Sequence, residues 1–114
     1  MVRAVFIRES GQYRGFTVSG HAMPPGCDSE YDLVCAAVSS AVYLTCNTLT
    51  DFLKGCTAQE SDNKITLKVD TDSESIQAVL RGFHHHLCEM AQEYPGQHPA
   101  GDVLYVSEMQ DAAS

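Results

Sequence analysis

His21 and Cys35 are the two residues whose types and spacing could do covalent chemistry together. A cysteine attacks only as its thiolate, and a neighbouring imidazole can take the proton and later return it to a leaving group. The stretch between the two residues is long enough to let their side chains converge. If Cys35 opens a helix, the positive end of the dipole further favours the anion. Asp32 stands three residues before Cys35 and Ser39 four after it, so on a helix all three share a face. Asp32 would orient His21 or a basic substrate, and Ser39 would donate a hydrogen bond to the thiolate or to a developing oxyanion. Residue types alone leave a structural alternative open: a free cysteine among alanines and valines is commonly a small core residue, and a lone histidine after a strand is commonly structural.

The elements that must position this pair are legible in outline. Residues 2–8 are β-branched and aromatic, Glu9 to Gln12 supply turn chemistry, and residues 13–20 alternate Phe16 and Val18 with Thr17 and Ser19, which predicts an N-terminal hairpin. The stretch from His21 to Tyr31 holds Pro24, Pro25 and Gly26 and reads as a loop that includes Ala22. Asp28 or Ser29 can cap a long buried helix over about residues 30 to 54, stopped by Gly55. Residues 56–60 make a short strand. Ile65, Leu67 and Val69 then alternate with Thr66 and Lys68 in a surer one. Thr71 with Glu74 forms a capping-box pattern, and Ile76, Val79, Leu80, Phe83, Leu87 and Met90 recur at helical spacing over about 72–93. Residues 103–106 form a last strand, and 107–114 a polar tail expected to fray. The order ββα(β)βαβ predicts one α+β domain over residues 1–114, a small mixed or antiparallel sheet of four or five strands packed with two helices.

Composition bounds the function. The 114 residues carry 7 Lys and Arg against 15 Asp and Glu, a net charge of −8, with the cations scattered from Arg3 to Arg81. That balance argues against direct nucleic-acid binding and for basic partners. Leu33 to Thr50 lacks charge, but its serines, threonines and asparagine dilute it too far for a membrane span. The N-terminus has no long apolar core or small-residue cleavage site, so no secretory signal is expected. Five cysteines without a CxxC pair suggest neither a closed disulfide set nor a zinc ribbon, and fit reduced thiols in a cytoplasmic protein. Cys46, Cys56 and Cys88 read as core filler. Cys27, in the loop, is a surface thiol with the option of a disulfide to Cys35. His84-His85-His86 cannot converge on one ion from consecutive helical positions, so the run reads as a solvated helix face and no metal or other cofactor is expected.

Ser19-Gly20-His21-Ala22, a loop, and then Asp32-Leu33-Val34-Cys35-Ala36-Ala37-Val38-Ser39 resemble the signature of the bacterial ribosomal-processing cysteine proteases, the Prp family. The specific motifs occupy residues 19–39, while element order and length match across essentially the whole chain. The resemblance implies a thiol endopeptidase with Cys35 as nucleophile, His21 as general base and acid, and Asp32 and Ser39 as flanking polar positions. Gly20, Ala22, Gly26 and Tyr31 would belong to the flexible loop between the catalytic residues. The resemblance also implies a homodimer, and as substrate the precursor of large-subunit ribosomal protein twenty-seven, whose N-terminal extension is cut after an aromatic residue. The loop departs from the family pattern: Ser29, Glu30 and Tyr31 occupy an approach that usually carries a glycine, and Pro24-Pro25-Gly26-Cys27 is stiffer. Two other readings are a non-catalytic acidic α+β module that binds a basic ribosomal or assembly protein, and a thiol-dependent small-molecule hydrolase.

Overall fold

The computed structural model describes residues 2–20, 29–93 and 104–110, with side chains in the first helix from residue 34 onward. Strands β1 (Val2–Glu9) and β2 (Gln12–Ser19) form the expected hairpin. Its turn puts both Ser10 (φ 51°) and Gly11 (φ 81°) in the left-handed region that a tight two-residue hairpin requires. Helix α1 (Ser29–Asn47), strands β3 (Cys56–Ser61) and β4 (Lys64–Val69), helix α2 (Glu74–Glu93) and strand β5 (Leu104–Gln110) follow. The sheet order is β3-β4-β2-β1-β5. All neighbours are antiparallel except β1 and β5, so the sheet is mixed and the fold is α+β, in the predicted element order.

Period-two alternation decides which sheet face carries the core. Val2, Ala4 and Phe6 of β1, Phe16 and Val18 of β2, and Ile65, Leu67 and Val69 of β4 are buried on one face. Against them α1 presents Val34, Val38, Val42 and Cys46, and α2 presents Ile76, Leu80, Phe83, Leu87 and Met90. Both sets recur at helical spacing and pack into one cluster. Phe16 and Phe83 are centred 4.8 Å apart in a tilted pair that pins α2 to the sheet.

Four details correct the sequence reading. The first helix ends at Asn47, not near residue 54, and Thr48–Phe52 form one π-helical turn. There Thr48 Oγ1 turns back to the Leu44 carbonyl (2.8 Å), and the Leu53 amide bonds the Thr48 carbonyl (2.9 Å). Nor is α1 buried all round: Tyr43 and Leu44 are exposed, because the two helices lie side by side in a single layer. The cap of α2 is Ser73, whose hydroxyl accepts from the Ile76 amide (3.2 Å), in place of the Thr71–Glu74 box. Finally, β5 continues through Ser107 to Gln110 because β1 offers it a partner at every position from Val2 to Arg8.

Candidate active site

The described residues include Cys35 itself and the neighbour of His21. β2 runs in register with β4 up to Ser19↔Lys64. Gly20 then leaves the sheet with φ 84°, and its amide donates to the carbonyl of Asn63 (3.0 Å), itself a left-handed residue in the β3–β4 turn. This holds the chain at the residue that immediately precedes His21. Cys35 lies two turns into α1 and is buried, 6% exposed, beside Val34 and Val38. The helix dipole acts chiefly within the first turn, so at this depth it contributes little to a thiolate, and burial opposes one. Any nucleophilic thiol here depends on a proton acceptor brought to it.

Ser39 follows Cys35 by one turn on the same helical face and is half-buried. Asp32 belongs to α1, as does Tyr31, which lies in the first turn of the helix and not in the loop. The side chains of Asp32 and Tyr31 lie outside the described residues, as do His21, Ala22, Gly26 and Cys27.

The other described cysteines are poor candidates. Burial pushes the thiols of Cys46 and Cys56 up to about 11, with the neighbouring Cys56 adding to the shift at Cys46 and Asp70 and Asp72 adding at Cys56. At pH 7 about one in ten thousand of each is ionised. Cys88 is also shifted upward, by burial and then by Glu108.

The histidine run separates by environment. His84 is mostly buried: its Nδ1 is 2.7 Å from the Tyr13 hydroxyl and 3.6 Å from Glu108 Oε1, and burial lowers its pKa. His85 faces Glu89 one turn on (3.2 Å). Thus His84 is a packed residue joining α2 to β2 and β5, not part of a solvated face. Among the described residues no cluster of His, Cys, Asp or Glu could hold a metal ion, and no helix is long and apolar enough to cross a membrane.

One structurally important residue escaped the sequence reading. Gln77, 5% exposed, accepts the Tyr13 amide proton (2.8 Å) and donates to the Tyr13 carbonyl (2.9 Å) and to Asp72 Oδ1 (2.9 Å). Its only signal was a polar residue next to Ile76 on an apolar helical face.

The profile of the cysteine protease Prp family matches residues 1–98. The chain belongs to that family. As a Prp-family member it is a cysteine protease. Solved structures share the fold at low identity. SMU.848 from Streptococcus mutans superposes with a TM-score of 0.72 at 23% identity, covering 97% of this chain and 99% of that one. The essential ribosomal processing protease Prp from S. aureus, with a covalently linked product peptide, gives 0.75 at 18% identity over 96% of this chain and 100% of its own. The same S. aureus protein with a substrate peptide gives 0.75 at 16% identity, with the same coverage. No curated protein matches the sequence.

Proposed function

We propose that this chain is a ribosomal-processing endopeptidase in which Cys35 is the nucleophile and His21 the general base and acid. The observation that carries the reading is the family match over residues 1–98, which spans the Ser19-Gly20-His21 and Asp32–Ser39 motifs. The S. aureus protein of this fold is held covalently to a product peptide, which fits chemistry through a protein-bound intermediate. His21 takes the Cys35 proton, and the sulfur–carbon bond forms as the carbonyl becomes an oxyanion. Backbone amides near the start of α1 and the Ser39 hydroxyl stabilise that charge. His21 then protonates the leaving amine as the carbon–nitrogen bond breaks, and water, deprotonated by His21, hydrolyses the thioester. Asp32 orients the imidazole.

The substrate is the precursor of a basic large-subunit ribosomal protein, protein twenty-seven by family resemblance, attracted by the acidic chain. The enzyme acts in the reduced cytoplasm as one domain per subunit. A homodimer is supported by a groove of about 490 Å³ between α1 and α2, lined by no Lys, Arg, Asp or Glu, where Leu44 stands 70% exposed beside Ala37, Ala41, Gly82 and His86. The decisive experiment incubates the chain with the same host's ribosomal protein precursor and reads the product by mass spectrometry. A defined N-terminal truncation, lost in Cys35→Ala and in His21→Ala with folding intact, is expected. Unchanged turnover by Cys35→Ala would overturn the assignment.

A further inference from the structure

Scattered along the sequence, the cations are gathered by the fold. The sheet face opposite the helices carries the alternate residues of each strand, and in register these bring together Arg3 on β1 and Lys64 and Lys68 on β4. All three are exposed, and they are three of only seven Lys and Arg residues in the chain. Arg3 and Lys64 both align with Ser19, two strands apart, which sets their backbones about 10 Å from each other; Lys68 lies about 13 Å further along β4. None of the three forms an ion pair among the described residues. Of the nearby carboxylates, Asp70 accepts the Thr57 hydroxyl beside Lys68 and keeps its charge, and Glu9 pairs with Arg14 (3.7 Å).

Between the cations lie the polar side chains of Thr17, Ser19 and Thr66. At the β5 edge Tyr105 is 47% exposed, with the Arg3 guanidinium 5.7 Å from its ring centre. We infer that this open face docks single-stranded RNA, with phosphates on Arg3, Lys64 and Lys68 and an unstacked base against the Arg3–Tyr105 pair. An acidic peptide would match the charges but would meet that pair with an aromatic face only where it carries an aromatic residue, whereas every nucleotide brings a π-face. The net charge of −8 does not forbid the contact. The shortest dimension of the molecule is 22 Å, against a screening length of about 8 Å at physiological salt, so the field at this face is set by its own side chains.

The test is fluorescence anisotropy of a labelled twelve-nucleotide oligouridylate with the intact chain, between 50 and 200 mM KCl. Three phosphate contacts on a single strand give a slope of about 2 in log Kd against log salt, so affinity should fall roughly twentyfold over that range. Lys64→Gln with Lys68→Gln should remove about two-thirds of the slope, Lys64→Arg with Lys68→Arg should keep it, and Tyr105→Leu should weaken binding roughly tenfold. Cys35→Ala should bind as the parent chain does, which separates this result from the fate of the peptidase reading. Absence of binding at 50 mM KCl, an unchanged slope after charge removal, or displacement of the RNA by an equal charge of oligoglutamate would each overturn it; the last would make the face a docking site for an acidic protein.

Discussion

Replacing Gln77 by Leu should be among the most damaging single changes available outside the site. β4 pairs with β2 only as far as Gly15↔Lys68, so the backbone of Tyr13 has no strand on that side. The Gln77 side chain fills the place of the missing rung, accepting from the Tyr13 amide and donating to its carbonyl at 2.8 and 2.9 Å. Both residues are 5% exposed, so water does not take over these bonds. Leucine has nearly the same volume and opens no cavity, which leaves the unpaired groups as the main cost. Two orphaned buried backbone groups at about 1–3 kcal/mol each give a loss of about 2–6 kcal/mol, a large share of the ~5–15 kcal/mol that holds a domain together. Equilibrium urea unfolding measures this directly, with the exposed neighbour Ala78→Gln as a control that should stay within about 0.5 kcal/mol. Gln77→Glu separates the two halves of the interaction, since it keeps an acceptor for the amide but sets a carboxylate against the Tyr13 carbonyl and Asp72. A loss below about 1 kcal/mol for Gln77→Leu, with an unchanged denaturant slope, would refute the surrogate-rung account.

Three other outcomes follow from the geometry. Burial holds the pKa of His84 below its ordinary 6.5, against a smaller upward pull from Glu108, so the folded state binds the proton less well than the unfolded one. The stability from neutral His84 is therefore complete above pH 6.5 and is lost as pH falls through the lower folded value; between pH 7.5 and 5 the urea midpoint should drop more in the parent chain than in His84→Asn. Iodoacetamide at pH 7.5 should modify Cys35 ahead of Cys46, Cys56 and Cys88, and that lead should vanish in His21→Ala; equal rates for all four in the parent would remove the case for an activated thiol. Leu44→Glu, which sets a charge in the groove between the helices, should convert the proposed dimer to monomer in sedimentation analysis; a parent chain that sediments as a monomer would refute the dimer, and a variant that stays dimeric would move the interface elsewhere.

What the sequence could reveal follows from which interactions are local. The hairpin of β1 and β2 and the apolar stripe of α2 were readable because turn residues and side-chain periodicity lie within a few positions of one another. The length of β5 was not readable: Ser107, Glu108 and Gln110 are poor strand formers, and only the distant β1, pairing through Arg8↔Gln110, holds them extended. The end of α1 was misplaced because periodicity continues through Leu49 and Phe52, while the π-helical turn depends on Thr48 bonding back to Leu44. At the site, the His21–Cys35 pair was visible only as residue types and order. The role of Gly20 was hidden because its amide is held by Asn63, a residue that sequence alone does not bring near it.

The cysteines show why burial and reactivity have to be argued separately here. Cys35 and Cys46 are equally exposed, 6% each, and sit on the same buried stripe of α1. At Cys46 burial, reinforced by the nearby Cys56 and Glu60, holds the thiol neutral. What distinguishes Cys35 in the proposed function is its pairing with His21, the residue that follows Gly20, whose amide is held by the Asn63 carbonyl. A desolvated thiolate is costly alone and favourable beside an imidazolium, since the low dielectric that penalises one charge strengthens the pair. The same burial that keeps Cys46 inert therefore makes the proposed ion pair at Cys35 depend strongly on His21. Removing the histidine should cost more than the loss of a proton shuttle, because it leaves the nucleophile in an environment that disfavours its reactive form.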